Sequence, residues 1–223
     1  MTSTKTQVNL VTLTDPRSPV SEAYRRLRTN LEFASLTGKI ETLVVTSPGP
    51  DEGKSTTLAN LAVVTAQAGK RVILVDADLR RPAQHLIFGV SNEQGLTNLM
   101  IDPALVQAPP LVATGVEGLW LLLSGPLPPN PAELLASPQM ERIIEALKER
   151  ADLVLFDAPP VIAVTDAAIL AAKTDGVLLV LRAGKTKREH ATRARELLEQ
   201  VKARIIGSAL TNVEFDAEIE GYY

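Results

Sequence analysis

The stretch that most restricts this chain is Leu43-Val44-Val45, followed by Thr46-Ser47-Pro48-Gly49-Pro50-Asp51-Glu52-Gly53-Lys54-Ser55-Thr56 and then a helical pattern. Three consecutive apolar residues read as a buried strand, and the turn-forming residues after them read as a tight loop opening a helix at Lys54. In that context backbone N–H groups of the turn and of the helix start converge on phosphate oxygens. Side chains there must leave the backbone open to approach. Lys54 is a compact cation able to reach β- and γ-phosphate oxygens, and the Ser55 hydroxyl can ligate Mg²⁺. Gly49, Pro50, Asp51, Glu52, Gly53, Lys54, Ser55 and Thr56 are therefore expected to cradle ATP with Mg²⁺. One position departs from the usual pattern, because Pro48 stands where a glycine is standard. A Gly-Lys-Ser turn that holds nothing is the alternative.

The rest of the chain supplies the context such a loop needs. After Thr42, short apolar runs alternate with helical stretches. Strands are expected at Arg71 to Val75, Leu119 to Leu123, Leu153 to Phe156, Val177 to Leu181 and Ile205 to Leu210, besides Leu43 to Val45. Helices are expected at Lys54 to Ala68, Pro138 to Arg150, Asp166 to Ala172 and Lys187 to Lys202. Continuous rather than alternating apolar character means that both sheet faces are covered, which predicts an α/β fold with a mostly parallel central sheet flanked by helices. Leu99 to Gly118 follows neither period and gives no strand order. Met1 to Pro19 reads as an extended lead-in, and Ser21 as the N-cap of an amphipathic helix from Glu22 to Ala34. The 223 residues fit one domain.

Composition narrows the function classes. A net charge of −3 argues against a dedicated nucleic-acid binder, and the absence of cysteine excludes thiolate chemistry and fits a cytoplasmic protein. No apolar run approaches the ~20 residues that span a bilayer. Any membrane role is expected to come through a partner.

Two further segments place carboxylates at strand ends. Val72-Ile73-Leu74-Val75 runs into Asp76-Ala77-Asp78, and Val154-Leu155-Phe156 runs into Asp157. Ligands of open α/β sheets bind at that edge of the sheet. Residues two apart in a strand face one side, so Asp76 and Asp78 could serve one metal–phosphate centre if the extended geometry persists. Asp157 has the position of a Walker B carboxylate, which holds Mg²⁺ directly or through water. Helix caps or plain strand ends are the bland alternative for each aspartate alone.

With these residues placed, the chain resembles the bacterial protein-tyrosine kinases (BY-kinases) of capsule and exopolysaccharide synthesis. That family shares the P-loop ATPase fold of Min/Par partitioning ATPases. The resemblance covers nearly the whole chain and rests on Gly53-Lys54-Ser55-Thr56, on Asp76-Ala77-Asp78-Leu79-Arg80-Arg81-Pro82, on Asp157-Ala158-Pro159-Pro160 and on the segment from Ser124 to Leu135. The family tolerates a residue other than glycine where Pro48 stands, and it lacks the signature lysine of the Min/Par loop, whose place Gly49 takes here. The resemblance implies that Lys54 holds phosphates, that Ser55 and Asp157 position Mg²⁺, and that Asp76 is the base toward a tyrosine hydroxyl. Asp78 would assist the metal or the substrate. A phenol of pKa about 10 needs such an acceptor to attack at neutral pH. Asn212 resembles the adenine-contacting asparagine of related ATPases, and is otherwise a turn former.

Glu22, Arg25 and Arg28 match the family's Glu-x-x-Arg-x-x-Arg motif, which implies ring-like homo-oligomers built through a helix at about residues 21–35. The alternative is pairing of Glu22 with Arg25 or Arg26 inside its own helix. Tyr222 and Tyr223 end the acidic stretch 214–223. A tail of about ten residues reaches roughly 33 Å, enough to enter a neighbour's site, so both are expected to be phosphoacceptors in trans. A terminal aromatic pair without a role is the alternative. The resemblance further implies protein tyrosine substrates and a transmembrane adaptor of the polysaccharide co-polymerase type. Lys185, Lys187, Arg188, Arg193 and Arg195, interleaved with glutamates, read as a solvated helix face, His85 and His190 carry no chemistry, and Trp120 reads as core. Two other functions compete with the kinase: a Min/Par-like ATP-driven switch and a non-catalytic ATP-binding scaffold.

Overall fold

The apolar runs become the middle of a sheet. The computed structural model describes residues 10–36 and 38–214. Its strands are β1 (Thr42–Thr46), β2 (Val72–Asp76), β3 (Val112–Ala113), β4 (Leu119–Leu122), β5 (Leu153–Asp157), β6 (Gly176–Arg182) and β7 (Ile205–Thr211). They lie in the order β3-β4-β2-β5-β1-β6-β7. Every neighbouring pair is parallel except β3 with β4. All residues of β1 and β2 are buried, as a sheet covered on both faces requires.

The helices are α1 (Val11–Thr14), α2 (Pro19–Ser35), α3 (Lys54–Gln67), α4 (Gln84–Phe88), α5 (Leu96–Ile101), α6 (Pro131–Ala136), α7 (Pro138–Lys148), α8 (Asp166–Ala171) and α9 (Arg188–Gln200), with a 3₁₀ turn at Pro103–Gln107. Strand alternation divides the core in two. Val44, Val154 and Phe156 face Leu99, Ile143, Leu170 and Leu198 of the helices on one side. Leu43, Val45 and Leu155 face Leu58, Leu61 and Ala62 of α3 on the other, with Tyr24, Leu27 and Leu31 of α2 packed behind. Helix α3 is buried from Thr57 to Ala66 because it lies between the sheet and α2. Among the described residues no helix is long and apolar enough to cross a membrane.

All six expected strands and the long helices form, with ends that coincide or shift by at most three residues. The lead-in differs from expectation. Val11–Thr14 is a helical turn, not extended chain, because buried Thr12 turns its N–H and its hydroxyl onto Asn60 Oδ1 of α3, at 3.1 and 2.8 Å. The N-cap of α2 is Ser18, not Ser21: Ser18 Oγ accepts the Ser21 N–H at 3.2 Å, and Pro19 takes the first helical position. Ser21 instead donates its hydroxyl to Asp15 O at 2.7 Å. Between residues 84 and 136 the chain makes α4, α5, the 3₁₀ turn, β3 and α6, each of two to six residues and too short to show a period. Trp120 is only partly buried, at the margin of the first core cluster.

Candidate active site

Three parallel strands deliver the site. The C-terminal ends of β1, β2 and β5 are adjacent, with Val45 opposite Asp157 and Asp76 opposite Asp157 in the two registers. From β1 the chain crosses toward β2 on one side, and from β5 it crosses to β6 on the other. The phosphate loop therefore lies where the direction of winding reverses, the usual ligand crevice of such sheets.

The loop is fixed from all sides. Gly53 caps α3 at φ 90°, a left-handed conformation that a side chain disfavours. Thr211 Oγ1 donates to Glu52 O at 2.8 Å. Arg182 Nη1 donates to Asp51 O at 3.0 Å, and Lys185 Nζ to Pro50 O at 2.7 Å and to Asp51 O at 3.2 Å. Lys185 is thus not part of a solvated helix face, since it leaves the turn after β6 and grips the phosphate loop. The remaining basic helix is solvated as expected, with exposed pairs Arg193–Glu196 and Arg195–Glu199.

Lys54 is the centre of the site. Its Nζ stands 3.0 Å from both Asp78 Oδ2 and Asp157 Oδ1, and 3.2 Å from Ser55 Oγ. Burial alone would lower the Lys54 ammonium pKa, but Asp157 and Asp78 outweigh it and hold it above its ordinary value. Asp78 Oδ1 accepts the backbone N–H groups of Arg80 and Arg81 at 3.3 and 2.9 Å. Arg80 in turn makes a bidentate pair with fully buried Asp166 at the start of α8, at 2.9 and 3.0 Å. Asp76 and Asp78 do not meet the site by strand alternation: β2 stops at Asp76, and the turn after it brings Asp78 round to Lys54.

Asp76 has another local role. Its Oδ2 accepts the N–H groups of Ala83 and Gln84 at 3.0 and 2.9 Å and so caps α4 from a neighbouring strand. Burial, and next the negative charge of Asp157, push its carboxyl up to about 8. Sequence reasoning missed Gln84, which is fully buried and donates Nε2 to Asp157 Oδ2 at 2.7 Å and to Ser55 O at 3.2 Å. A glutamine in an aperiodic segment leaves no trace in a pattern. Arg80 and Asp166 were visible only as a motif letter and as a helix start.

The donor set fits Mg²⁺. Among the described residues no three His, Cys, Asp or Glu side chains form a ready-made metal cage. Mg²⁺ does not need one, because it keeps several waters and binds through one or two carboxylates plus phosphate oxygens. Asp76 Oδ1 and Gln84 Oε1 are buried acceptors with no protein partner, in the same cluster as Ser55 Oγ and the Asp157 carboxylate. A hard cation with its waters would satisfy such oxygens. A recess of about 250 Å³ over this cluster is lined by Gly53, Lys54, Thr56, Asp78, Arg81 and Pro160.

Asn212 stands apart from the carboxylates. Just past β7 at φ 57°, it rims a cavity of about 420 Å³ walled by Tyr24, Leu27, Leu210 and Val213. Thr57 and Thr211 separate that cavity from the phosphate loop. On α2, Glu22 and Arg25 pair with each other at 2.9 Å. Arg28 meets Glu32 at 3.7 Å and donates to Val64 O at 3.2 Å. Tyr222 and Tyr223 lie outside the described residues.

An open, mostly parallel sheet with a glycine–lysine loop after one strand and carboxylates ending its neighbours defines a P-loop nucleotide-binding domain. The CobQ/CobB/MinD/ParA nucleotide binding domain family matches residues 43–220. Tyrosine-protein kinase YwqD of Bacillus subtilis (strain 168) is 44% identical over 218 residues, which cover 97% of this chain and 92% of that protein. The crystal structure of the chimerical protein CapA2B2 has a TM-score of 0.87 at 36% identity, over 92% of this chain and 90% of that one. The kinase domain of Escherichia coli tyrosine kinase ETK has a TM-score of 0.85 at 32% identity, over 97% of this chain and 86% of that one. The chain belongs to the bacterial tyrosine-protein kinases.

Proposed function

We propose that the chain transfers the γ-phosphoryl group of ATP to protein tyrosine hydroxyls, Tyr222 and Tyr223 of a neighbouring copy among them. The observation that carries the reading is the Lys54 ammonium at the mouth of the phosphate loop, shared between Asp78 and Asp157. Incoming phosphate oxygens compete for that ammonium and draw it off the carboxylates. Asp157 and Asp78 then offer oxygens to Mg²⁺ beside Ser55 Oγ. An ion held by these residues would supply positive charge against the phosphates. The backbone N–H groups of residues 49–56 orient the phosphates, with the adenine in the cavity rimmed by Asn212. The tyrosine oxygen attacks the γ-phosphorus in line as the bond to the β–γ bridging oxygen breaks. The phenolic proton passes to the ionised form of Asp76, whose pKa of about 8 makes it a stronger proton acceptor than an ordinary carboxylate. Oδ1 is the Asp76 oxygen left free to take it.

The whole chain acts as one kinase domain in this reading. The Glu22, Arg25 and Arg28 face of α2 serves self-association, and a transmembrane adaptor of the polysaccharide co-polymerase type recruits the protein from the cytoplasm to the membrane. Its role there is to regulate capsule or exopolysaccharide synthesis and export.

The test is incubation with γ-labelled ATP and Mg²⁺, beside a Lys54→Met variant and a Tyr222→Phe/Tyr223→Phe double variant. Wild type is expected to label itself, and both variants to lose the label. Release of free phosphate with no protein label would overturn the kinase reading in favour of an ATP-driven switch.

A further inference from the structure

We propose that Gln84 is a positioning residue of the metal site: it selects the Asp157 oxygen that faces the cation, and its amide oxygen accepts from a cation-bound water. The proposal rests on the ATP–Mg²⁺ reading above. Gln84 is 0% exposed and reaches three of the four groups assigned to that centre. Its backbone N–H holds Asp76 Oδ2 at 2.9 Å, and its Nε2 holds Asp157 Oδ2 at 2.7 Å and Ser55 O at 3.2 Å. The orientation of the amide is fixed by chemistry, since turning it over would set Oε1 against two acceptors.

The two oxygens of Asp157 are then unequal. Oδ2 is held by a neutral amide locked in the core, whereas Oδ1 is held by Lys54, which has phosphates as a competing destination. When Lys54 leaves, Oδ1 is exposed while Gln84 keeps the carboxylate from rotating. The remaining acceptor capacity points the same way. Gln84 Oε1 is buried without a protein partner. Burying an unpaired polar group is costly, and an apolar side chain filling the same space would avoid that cost. Such an acceptor beside Asp157 suits a water molecule held by a cation.

The experiment uses the full chain with Gln84→Ala and with Gln84→Met, the latter keeping volume and the backbone bond to Asp76. Mn²⁺ replaces Mg²⁺ and its binding in the presence of ADP is read by electron paramagnetic resonance. Binding of fluorescent ADP in EDTA reports the phosphate loop alone. The midpoint for Mn²⁺ is expected to rise about 10–100-fold in both variants, the usual effect of losing an outer partner of a metal ligand. Affinity for ADP in EDTA should stay within about threefold, under 1 kcal/mol. A Gln84→Met protein that binds ADP in EDTA normally, with its Mn²⁺ midpoint within about twofold of wild type, would overturn the proposal. Loss of ADP binding in EDTA by both variants would also overturn it, since Gln84 would then support the loop rather than the metal. Wild type that binds ADP without any Mn²⁺ would overturn the metal reading itself.

Discussion

Asp76 sits where its surroundings resist ionisation, and this makes the free protein sensitive to pH. Its carboxyl is pushed up to about 8, first by burial and then by Asp157, against about 3.9 in an unfolded chain. Between those values the folded state binds the extra proton, so stability is full below about pH 4 and is lost as pH rises through about 8. Without nucleotide, the melting temperature is expected to fall between pH 6.5 and 8.5, and Asp76→Asn to flatten that fall. An unchanged slope in the variant would remove Asp76 as its cause. Lys54 acts in the opposite sense, because it neutralises Asp78 and Asp157. Lys54→Met should abolish activity and also cost about 3–5 kcal/mol of stability, the usual result of stripping one partner from a buried pair. Urea unfolding of the ligand-free protein measures it. Lys54, Asp78 and Asp157 were legible in the sequence because loop and strand-end chemistry fixes their types. The sharing of Lys54 between two carboxylates, and Gln84 behind them, were not, because they depend on a turn and a short helix without periodicity.

The turn between β6 and α9 shows how an element outside the motif can govern it. Arg182 closes the turn: its backbone N–H donates to Thr186 Oγ1 at 2.8 Å, and its carbonyl accepts the N–H groups of Lys185 and Thr186 at 3.1 and 2.9 Å. This aims Lys185 at the carbonyls of Pro50 and Asp51. Lys185→Ala removes that brace while the core stays intact. The Lys185 side chain is 44% exposed, so solvent screening keeps its contribution small. The KM for ATP is expected to rise about 3–10-fold with kcat changed less than about twofold, as for lost ground-state binding. Steady-state rates over a range of ATP concentrations check it, and an unaltered KM would show that the brace is idle. Sequence periodicity placed β6 and α9 to within a residue or two, since buried strands and amphipathic helices repeat. It placed Lys185 with the helix only because charge along a chain says nothing of where a turn bends. The cap was misplaced at Ser21 because Pro19 was taken as the end of an extended lead-in, whereas a proline suits the first helical position and makes Ser18 the cap.

For the molecule as a whole, the fold class was legible and the sheet order was not, because strand order is decided by long-range packing rather than by local pattern. Self-association is likewise a property of the surface. In this chain Glu22, Arg25 and Arg28 all have partners within their own protomer, so an interface through them must exchange those partners rather than simply add to them. A Glu22→Ala/Arg25→Ala/Arg28→Ala variant is expected to run as a monomer by light scattering with ATP and Mg²⁺, and wild type as a larger species. Equal masses would place the interface elsewhere. The sheet order bears also on how the chain is made. Strand β1 pairs with β5 and β6, so Thr42 lies beside Val154 and Leu43 beside Gly176. Contacts so distant in sequence close late. On the ribosome, the Gly-Lys-Ser segment emerges long before the strands that flank β1, and it stays an ordinary stretch of peptide until Arg182 has left the exit tunnel. Nascent chains arrested before that point should retain no fluorescent nucleotide, and chains arrested well after it should. A newly made kinase of this design is thereby silent toward ATP for most of its own synthesis.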